Sequence, residues 1–487
     1  MSEVKFSNLK AENGELRIEA EHFLKKYDRL KELLSNHNCV NLSDLVSKPI
    51  QTGHTPSMKN ECFYGGNIKF IKTDNLRDND IKFPFSHYLS ELGNAEIKRT
   101  ELQEDDIITT IIGATYDVIA RSCIIHKNIL PANINQNIAH IRPNKKKILP
   151  EYLNIYLNSK YGKMYLEYLS RQMEQVNLNC EEVGLVKVPL FSSSFQFSIE
   201  QIVKSAHAKL AESKALYAEA EEILLSELGL KDWQPGKNSH TDSILLTQNQ
   251  DEDTKDKRDS VGISNPCDNI ANYSIKRFSD FASSGRLDAE YYQPKYDEIE
   301  EKIRKSSHKE IFEVVTLKDS NFSPLPKKLY KYIELANIGA SGEITGFTED
   351  YGENLPTRAR RIVHTGDLLI SSIEGSLQSC AIVTGDYDDA LCSTGFYVVT
   401  PKLMNAETLL ILLKSDCMQS LLKKGCSGTI LTAIAKDEFL KIPLPLLPES
   451  IQSLIAEKIQ KSFDLRKQSK QLLEQAKRMV EEEIEKQ

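Results

Sequence analysis

The sequence predicts an α+β protein: two pseudo-symmetric globular domains, each a mixed β-sheet plus helices, joined by two long antiparallel coiled-coil helices. Three observations predict it. The chain repeats itself in order, each copy ends in a helix with a matching apolar seam, and a polar, charged stretch separates the copies.

The repeat ranks first, because self-similarity decides architecture before any local pattern does. Arg17-Ile-Glu-Ala-Glu-His-Phe23 matches Arg286-Leu-Asp-Ala-Glu-Tyr-Tyr292. Lys69-Phe-Ile-Lys-Thr-Asp-Asn75 matches Lys331-Tyr-Ile-Glu-Leu-Ala-Asn337. Asp105-Asp-Ile-Ile-Thr-Thr-Ile-Ile-Gly113 matches Thr365-Gly-Asp-Leu-Leu-Ile-Ser-Ser-Ile373, and Arg121-Ser-Cys-Ile-Ile125 matches Gln378-Ser-Cys-Ala-Ile382. Leu185-Val-Lys-Val-Pro189 pairs with Phe439-Leu-Lys-Ile-Pro443, and Ser198-Ile-Glu-Gln-Ile202 with Ser450-Ile-Gln-Ser-Leu454.

Each copy has one internal order. A short helix opens it, with Tyr27, Leu30 and Leu34 on one face in the first copy. Strand runs follow at Ile107–Ile112, Ile138–Ile141, Leu368–Ile373 and Phe396–Val399, where apolar and β-branched residues cluster. A helix comes next, Glu151–Tyr168 or Ala406–Lys424, and then the long terminal helix. The first long helix places Ile199, Val203, Ala206, Leu210, Ser213, Tyr217, Ala220 and Leu224 at alternating steps of four and three, with Gly229 as a cap. The second places Ile455, Ile459, Ser462, Leu465, Ser469, Leu472, Ala476 and Met479 along its seam. The boundaries are a tail at 1–16, a domain at 17–190, a helix at 191–232, a polar linker at 233–275, a domain at 276–445 and a helix at 446–487.

Composition narrows the class. No run of 18 apolar residues occurs, and the N-terminus is polar, so a cytoplasmic protein with no membrane partner is expected. Nine scattered cysteines include no CxxC pair, which signals reduced thiols rather than zinc or a redox motif. The net charge of −8 argues against a nucleic-acid partner unless basic residues cluster locally or other subunits supply cations.

Catalytic signatures are absent from the sequence. There is no phosphate loop, no HExxH and no Asn-Pro-Pro-aromatic motif; Asn265-Pro-Cys267 falls in the linker. Asp80, Glu96 and Lys98 have the loose spacing of a metal-dependent nuclease, a pattern that ordinary surface charge also produces. Gly65-Gly66, Gly339–Gly342 and Gly425–Gly428 read as turns or as backbone bent toward phosphate. No metal or cofactor site follows from these residues.

Side chains suited to base edges and phosphates do cluster. The first copy offers Thr52, His54, Thr55 and Ser57, then Lys69, Lys72 and Asn75, then Arg171, Gln172, Gln175 and Asn177. The second offers Lys327, Lys328, Arg358, Arg360, Arg361, Ser427, Thr429 and Thr432. Arg suits guanine, and Asn and Gln suit adenine, because each makes two hydrogen bonds to the major-groove edge. A solvated loop is the competing reading for every one of them.

These residues also carry a resemblance. The chain resembles the specificity subunit of type I restriction–modification systems in its 286–292 motif and the copy at 17–23, and in Gly53-His-Thr-Pro-Ser57 followed by Tyr64–Ile71. Gly366-Asp-Leu-Leu369 and Lys441-Ile-Pro-Leu-Pro445 ahead of the last helix complete the set. The resemblance covers nearly the whole chain outside the linker. It implies two target-recognition domains reading a bipartite site in double-stranded DNA, and two methyltransferase subunits and restriction subunits as partners. S-adenosylmethionine, ATP and Mg are then expected on those partners, with no cofactor and no catalytic residue on this chain. The second copy lacks a Gly-x-Thr-Pro-Ser, which leaves its reading loop open. A coiled-coil adaptor without DNA specificity, and the nuclease above, are the alternatives.

Overall fold

A computed structural model describes residues 20–82, 85–116, 118–172, 176–231, 233, 281, 285–428 and 432–486. The tail and nearly all of the linker lie outside these residues. The chain divides into two compact units, Met1–Glu212 with Leu465–Gln487, and Ser213–Asp464.

The first unit is built on an antiparallel sheet ordered Gln51–Thr52, Ile138–Ile141, Ile107–Thr110, Ser122–Ile124. The run Ile-Ile-Thr-Thr at 107–110 is buried at every position, as a central strand covered on both faces must be. One face packs Ile107, Ile124 and Ile141 against Tyr152 and Tyr156 of the helix Pro150–Asn158. The other packs Ile108, Cys123 and Ile138 against Ile71 and Ile134. A second sheet sets Tyr64–Ile71 parallel to Ala132–Ile134 and antiparallel to Tyr88–Leu89. The opening helix Lys25–Ser35 buries Tyr27, Leu30 and Leu34, as the pattern predicts.

The second unit repeats this plan. Its four-stranded sheet runs Val315–Lys318, Phe396–Pro401, Leu368–Ser371, Cys380–Ile382. Its second sheet again contains one parallel pair, Tyr332 and Ile333 against Leu391 and Cys392, matching Phe70 and Ile71 against Asn133 and Ile134.

Two details differ from the sequence reading. Each helix expected after the sheet is two helices: Pro150–Asn158 and Lys160–Leu169, then Ala406–Lys414 and Asp416–Lys424. The break falls at Ser159 and Ser415, both in extended backbone. Each hydroxyl donates back to a carbonyl, that of Tyr156 at 2.6 Å and of Leu412 at 2.7 Å. Serine bonding its own preceding turn competes with the helix ladder, which periodicity alone does not register.

The repeat also runs in another register near its end. Leu42 N–H donates to Val186 O and Leu190 N–H to Asn38 O, while Ile311 N–H donates to Ile442 O and Leu446 N–H to Ser307 O. Pro189 therefore corresponds to Pro445, two residues beyond the match read from the sequence. The rods shift by one helical turn: Ile199, Val203, Ala206, Ser213, Ala220 and Leu224 correspond to Ile455, Ile459, Ser462, Ser469, Ala476 and Val480, every one of them buried.

The rods are Ser193–Glu227, 35 residues, and Glu449–Glu485, 37 residues, each about 50 Å long at 1.5 Å per residue. Lys209 meets Gln468, Ser213 meets Ser462, and Glu219 meets Lys458, so the helices run antiparallel. Leu210, Leu472 and Met479 lie at the seam's margin, only partly buried, and the last turns of the second rod bury Val480 and Ile484 instead of Met479. Those turns pack on the broad core of the first unit, so a stripe stepping by four replaces the narrow heptad seam.

Ser213 and Ser462 are fully buried and bonded to each other, Oγ to Oγ at 3.0 Å, with Ser462 Oγ also donating to Ser213 O at 2.8 Å. A buried polar pair in an apolar seam penalises any other register, where its hydroxyls face hydrocarbon. Ser213→Ala should cost about 1 kcal/mol, whereas Ser462→Leu, which overpacks the close approach, should cost about 1–3 kcal/mol. Urea denaturation of the two variants measures both.

Candidate nucleic-acid interface

Three loops of the first unit meet at one end of its sheets. Thr55 Oγ1 donates to Gln136 Oε1 at 2.5 Å, joining loop 53–57 to the turn Asn135-Gln136-Asn137. A Cβ on Gly53 would fall 1.9 Å from the Ile134 carbonyl oxygen, so only glycine allows these two loops to touch. Ile111 N–H donates to Asn137 O at 3.0 Å, and Leu178 N–H to Ile111 O at 2.9 Å, which brings in the third loop. There Val176 and Asn177 pair with Gly113 and Ile112.

The second unit ties the same knot. Ser372 N–H donates to Gly395 O at 2.9 Å, and Ile434 N–H to Ser372 O at 2.8 Å. Ser393-Thr394-Gly395 stands where the first unit has Asn135-Gln136-Asn137, and Ala433 stands for Asn177. The backbone bonds recur while the side chains they carry differ.

A buried carboxylate anchors each frame. Asp106 accepts from Gln103 N–H at 2.7 Å, from His140 Nε2 at 2.7 Å and from Arg142 Nε and Nη2 at 2.7 Å each. Asp367 accepts from His364 N–H at 2.8 Å, Lys318 Nζ at 2.6 Å and Thr400 Oγ1 at 2.7 Å. Each acid pins the turn before the central strand to the neighbouring strand. Burial works against the Asp106 charge, but the bonds from Arg142 and His140 outweigh it and hold the carboxyl below its ordinary range. Burial holds the His140 imidazole below its ordinary value in spite of Asp106. It is therefore neutral and donates through Nε2. The turn itself needs a left-handed residue, Asp105 at φ 70° or Gly366 at φ 90°.

The residues singled out in the sequence divide by this geometry. Thr52 lies on the edge strand, with Arg99 Nη2 on its carbonyl at 3.4 Å, and His54 and Ser57 are exposed beside the first knot. Lys72 Nζ donates to His87 Nδ1 at 2.9 Å, and Lys69 sits three residues earlier, on the strand Tyr64–Ile71. Asn75 is buried and committed to its own turn: its Oδ1 accepts Lys72 N–H at 3.0 Å and its Nδ2 donates to Lys82 O at 3.1 Å. Asn337 accepts Glu334 N–H in the same way at 2.8 Å. Arg171 is paired with the buried Glu182 at 2.9 Å, while Asn177 is exposed. Gln172 is placed by its backbone on the hairpin strand, and Gln175 lies outside the described residues.

In the second unit Lys327, Lys328, Arg358 and Ser427 are exposed. Arg358 O accepts Thr394 N–H at 2.9 Å, which sets it against that knot. Arg360 Nε donates to Thr357 O at 2.9 Å, and Arg361 is spent on Lys318 O at 3.0 Å and Asp319 at 3.1 Å. Thr432 joins the knot through its carbonyl, which accepts Glu374 N–H at 3.0 Å, and Thr429 lies outside the described residues. Sequence reasoning missed the turns 135–137 and 393–395, although their Asn-Gln-Asn and Ser-Thr residues were a usable signal. The 286–292 motif proves structural in its arginine: Arg286 donates to Lys424 O at 3.3 Å and Cys426 O at 2.7 Å, closing the end of the helix Asp416–Lys424.

The residues of the nuclease alternative lie on separate elements, with Lys98 in the turn Lys98–Thr100. Asp80 is in a hairpin strand paired with Leu76–Arg77, and Glu96 ends a helix packed near Tyr64–Ile71. Among the described residues, metal-ligand side chains gather at His364, Asp388 and Asp389, which are exposed and away from both knots' bonds. No described helix is long and apolar enough to cross a membrane.

The geometry defines a protein with two α+β heads of one design, each presenting a loop knot. Residues 300–477 match the family described as the type I restriction modification DNA specificity domain. The type I restriction enzyme EcoBI specificity subunit of Escherichia coli is 28% identical over 141 residues, 29% of this chain and 29% of that subunit's length. Among solved structures, the S subunit of a type I system from M. genitalium aligns over 91% of this chain and 94% of its own at 10% identity, with a TM-score of 0.37. The HsdS subunit from Thermoanaerobacter tengcongensis aligns over 91% and 95% at 13% identity, with a TM-score of 0.28.

Acid should loosen the first unit. The unfolded chain takes up a proton at His140 near pH 6.5 and at Asp106 near pH 4, above the pH at which the folded chain does, so both groups contribute stability that is lost as pH falls. His140→Gln should flatten the fall of Tm between about pH 7.5 and 5.5, and Asp106→Asn should cost about 3 kcal/mol or more at pH 7 by stranding Arg142. Thermal melts across pH check both.

Proposed function

We propose that this chain is the sequence-reading subunit of a type I restriction–modification complex, with each knot reading one half of a bipartite site in double-stranded DNA. One observation carries the reading: two knots with the same backbone bonds and different side chains, Asn135-Gln136-Asn137 in one head and Ser393-Thr394-Gly395 in the other. A common frame with unlike polar tips suits a pair of readers for unlike half-sites, since base identity is distinguished by side-chain donors and acceptors.

The rods dock two methyltransferase subunits and set the unread spacer, and restriction subunits join the assembly. Those partners carry S-adenosylmethionine, ATP and Mg, while this chain brings no catalytic centre and acts in the cytoplasm. Partner cations offset its net charge of −8 when DNA binds.

With its methyltransferase, the chain should shift a subset of random duplexes in an electrophoretic assay. The triple variant Asn135→Ser, Gln136→Thr, Asn137→Gly should change the selected bases of one half-site and leave the other as it was. Selection without any sequence preference, or an unaltered site in the variant, overturns the reading.

A further inference from the structure

We propose that Arg358 reads a guanine in the half-site met by the second knot, its guanidinium bonding the O6 and N7 edge in the major groove; this deepens the function proposed above and rests on it. A base-reading arginine needs a fixed backbone and an uncommitted side chain open to solvent. Arg358 has both.

Its backbone is held from both sides. Ala359 N–H donates to Pro356 O at 2.9 Å, and the Arg358 carbonyl accepts from Arg360 N–H and Thr394 N–H at 2.9 Å each. Thr394 is the exposed tip of the knot, and Ala359 pairs with Ser393 beside it. The Arg358 side chain is exposed, and among the described residues no hydrogen bond or ion pair holds its guanidinium. Burial and Glu334 push the Tyr332 phenol up, while its bond with the Ser393 side chain and the Arg358 charge pull it down, so the guanidinium stands near the knot. The other cations picked out in this head are placed otherwise. Arg360 is turned to Thr357 O, and Arg361 to Lys318 O and Asp319. Lys327 and Lys328 precede the strand Leu329–Ile333, whose far end adjoins the knot through Cys392.

A guanidinium also suits phosphate, and comparison of the heads decides between the two. Val363 N–H donates to Ala390 O as Leu102 N–H donates to Ala132 O, at 3.0 Å in both. Five residues before these stand Arg358 in one head and the buried Ile97 in the other. The phosphate backbone is common to unlike half-sites, and the bases are not. A charge that one reader carries and the other lacks at the same place therefore belongs with a base. Guanine offers two acceptors side by side on its major-groove edge, and the planar guanidinium offers parallel N–H groups to match them. The first knot presents instead the exposed Gln136, whose Oε1 accepts from Thr55.

The test is selection from a random duplex pool by the full chain reconstituted with its methyltransferase, as wild type and as Arg358→Ala. The wild type should select a guanine in the half-site that the 135–137 variant leaves unaltered. Arg358→Ala should lower the preference for guanine at that one position by about tenfold or more, with the other selected bases, the Tm and methyltransferase binding kept. An unaltered selection in Arg358→Ala, a wild-type half-site without guanine, or equal weakening on every duplex, the mark of a phosphate contact, would each overturn the assignment. A wild-type complex with no preference for any sequence removes the underlying reading instead.

Discussion

The structure depends on the burial of each rod's far end in a core that the opposite copy of the repeat begins. The first unit takes in Leu465–Gln487, and Ala476, Val480 and Ile484 join the core that holds Tyr152, Ile155 and Ile199. The second takes in Tyr217, Ala220 and Leu224 among Ile299, Leu421 and Ile455. Burying a Val or Ile side chain is worth about 1.5–3 kcal/mol, so two such residues approach the few kcal/mol by which a domain is stable at all. Polar ties add direction: Glu481 accepts Lys160 N–H at 2.7 Å at the start of a helix, and Ile484 O bonds His37 at 2.8 Å. Neither head is complete from one copy of the repeat.

This arrangement frees the loops. With the four-stranded sheet, its buried aspartate and the shared rod contacts holding the frame, the turns at 135–137 and 393–395 make the same backbone bonds with different side chains.

Much of this was legible in the sequence because it is local. The rods announced themselves by steps of four and three, and the central strands by continuous β-branched runs. The breaks at Ser159 and Ser415 were not legible, because a serine inside a helical period looks like any exposed position until its hydroxyl is seen bonding backward. Nor was the register of the rods: Ile199 matches Ile451 by neighbouring letters, yet it matches Ile455 by burial. Residue type picked out His54, Thr55 and Asn177, which the structure places on the three loops that meet in the first knot. It did not separate free side chains from those committed to the fold, such as Asn75 and Arg171, whose partners Lys82 and Glu182 are distant enough in sequence to carry no pattern.

The most direct test of the exchange of rod ends is hydrogen exchange on a chain ended at Asp464. Loss of residues 465–487 should strip protection from the amides of Ile107–Thr110 and Ile138–Ile141 while those of Leu368–Ser371 and Phe396–Pro401 keep theirs. Undiminished protection in the first pair of strands would contradict the account.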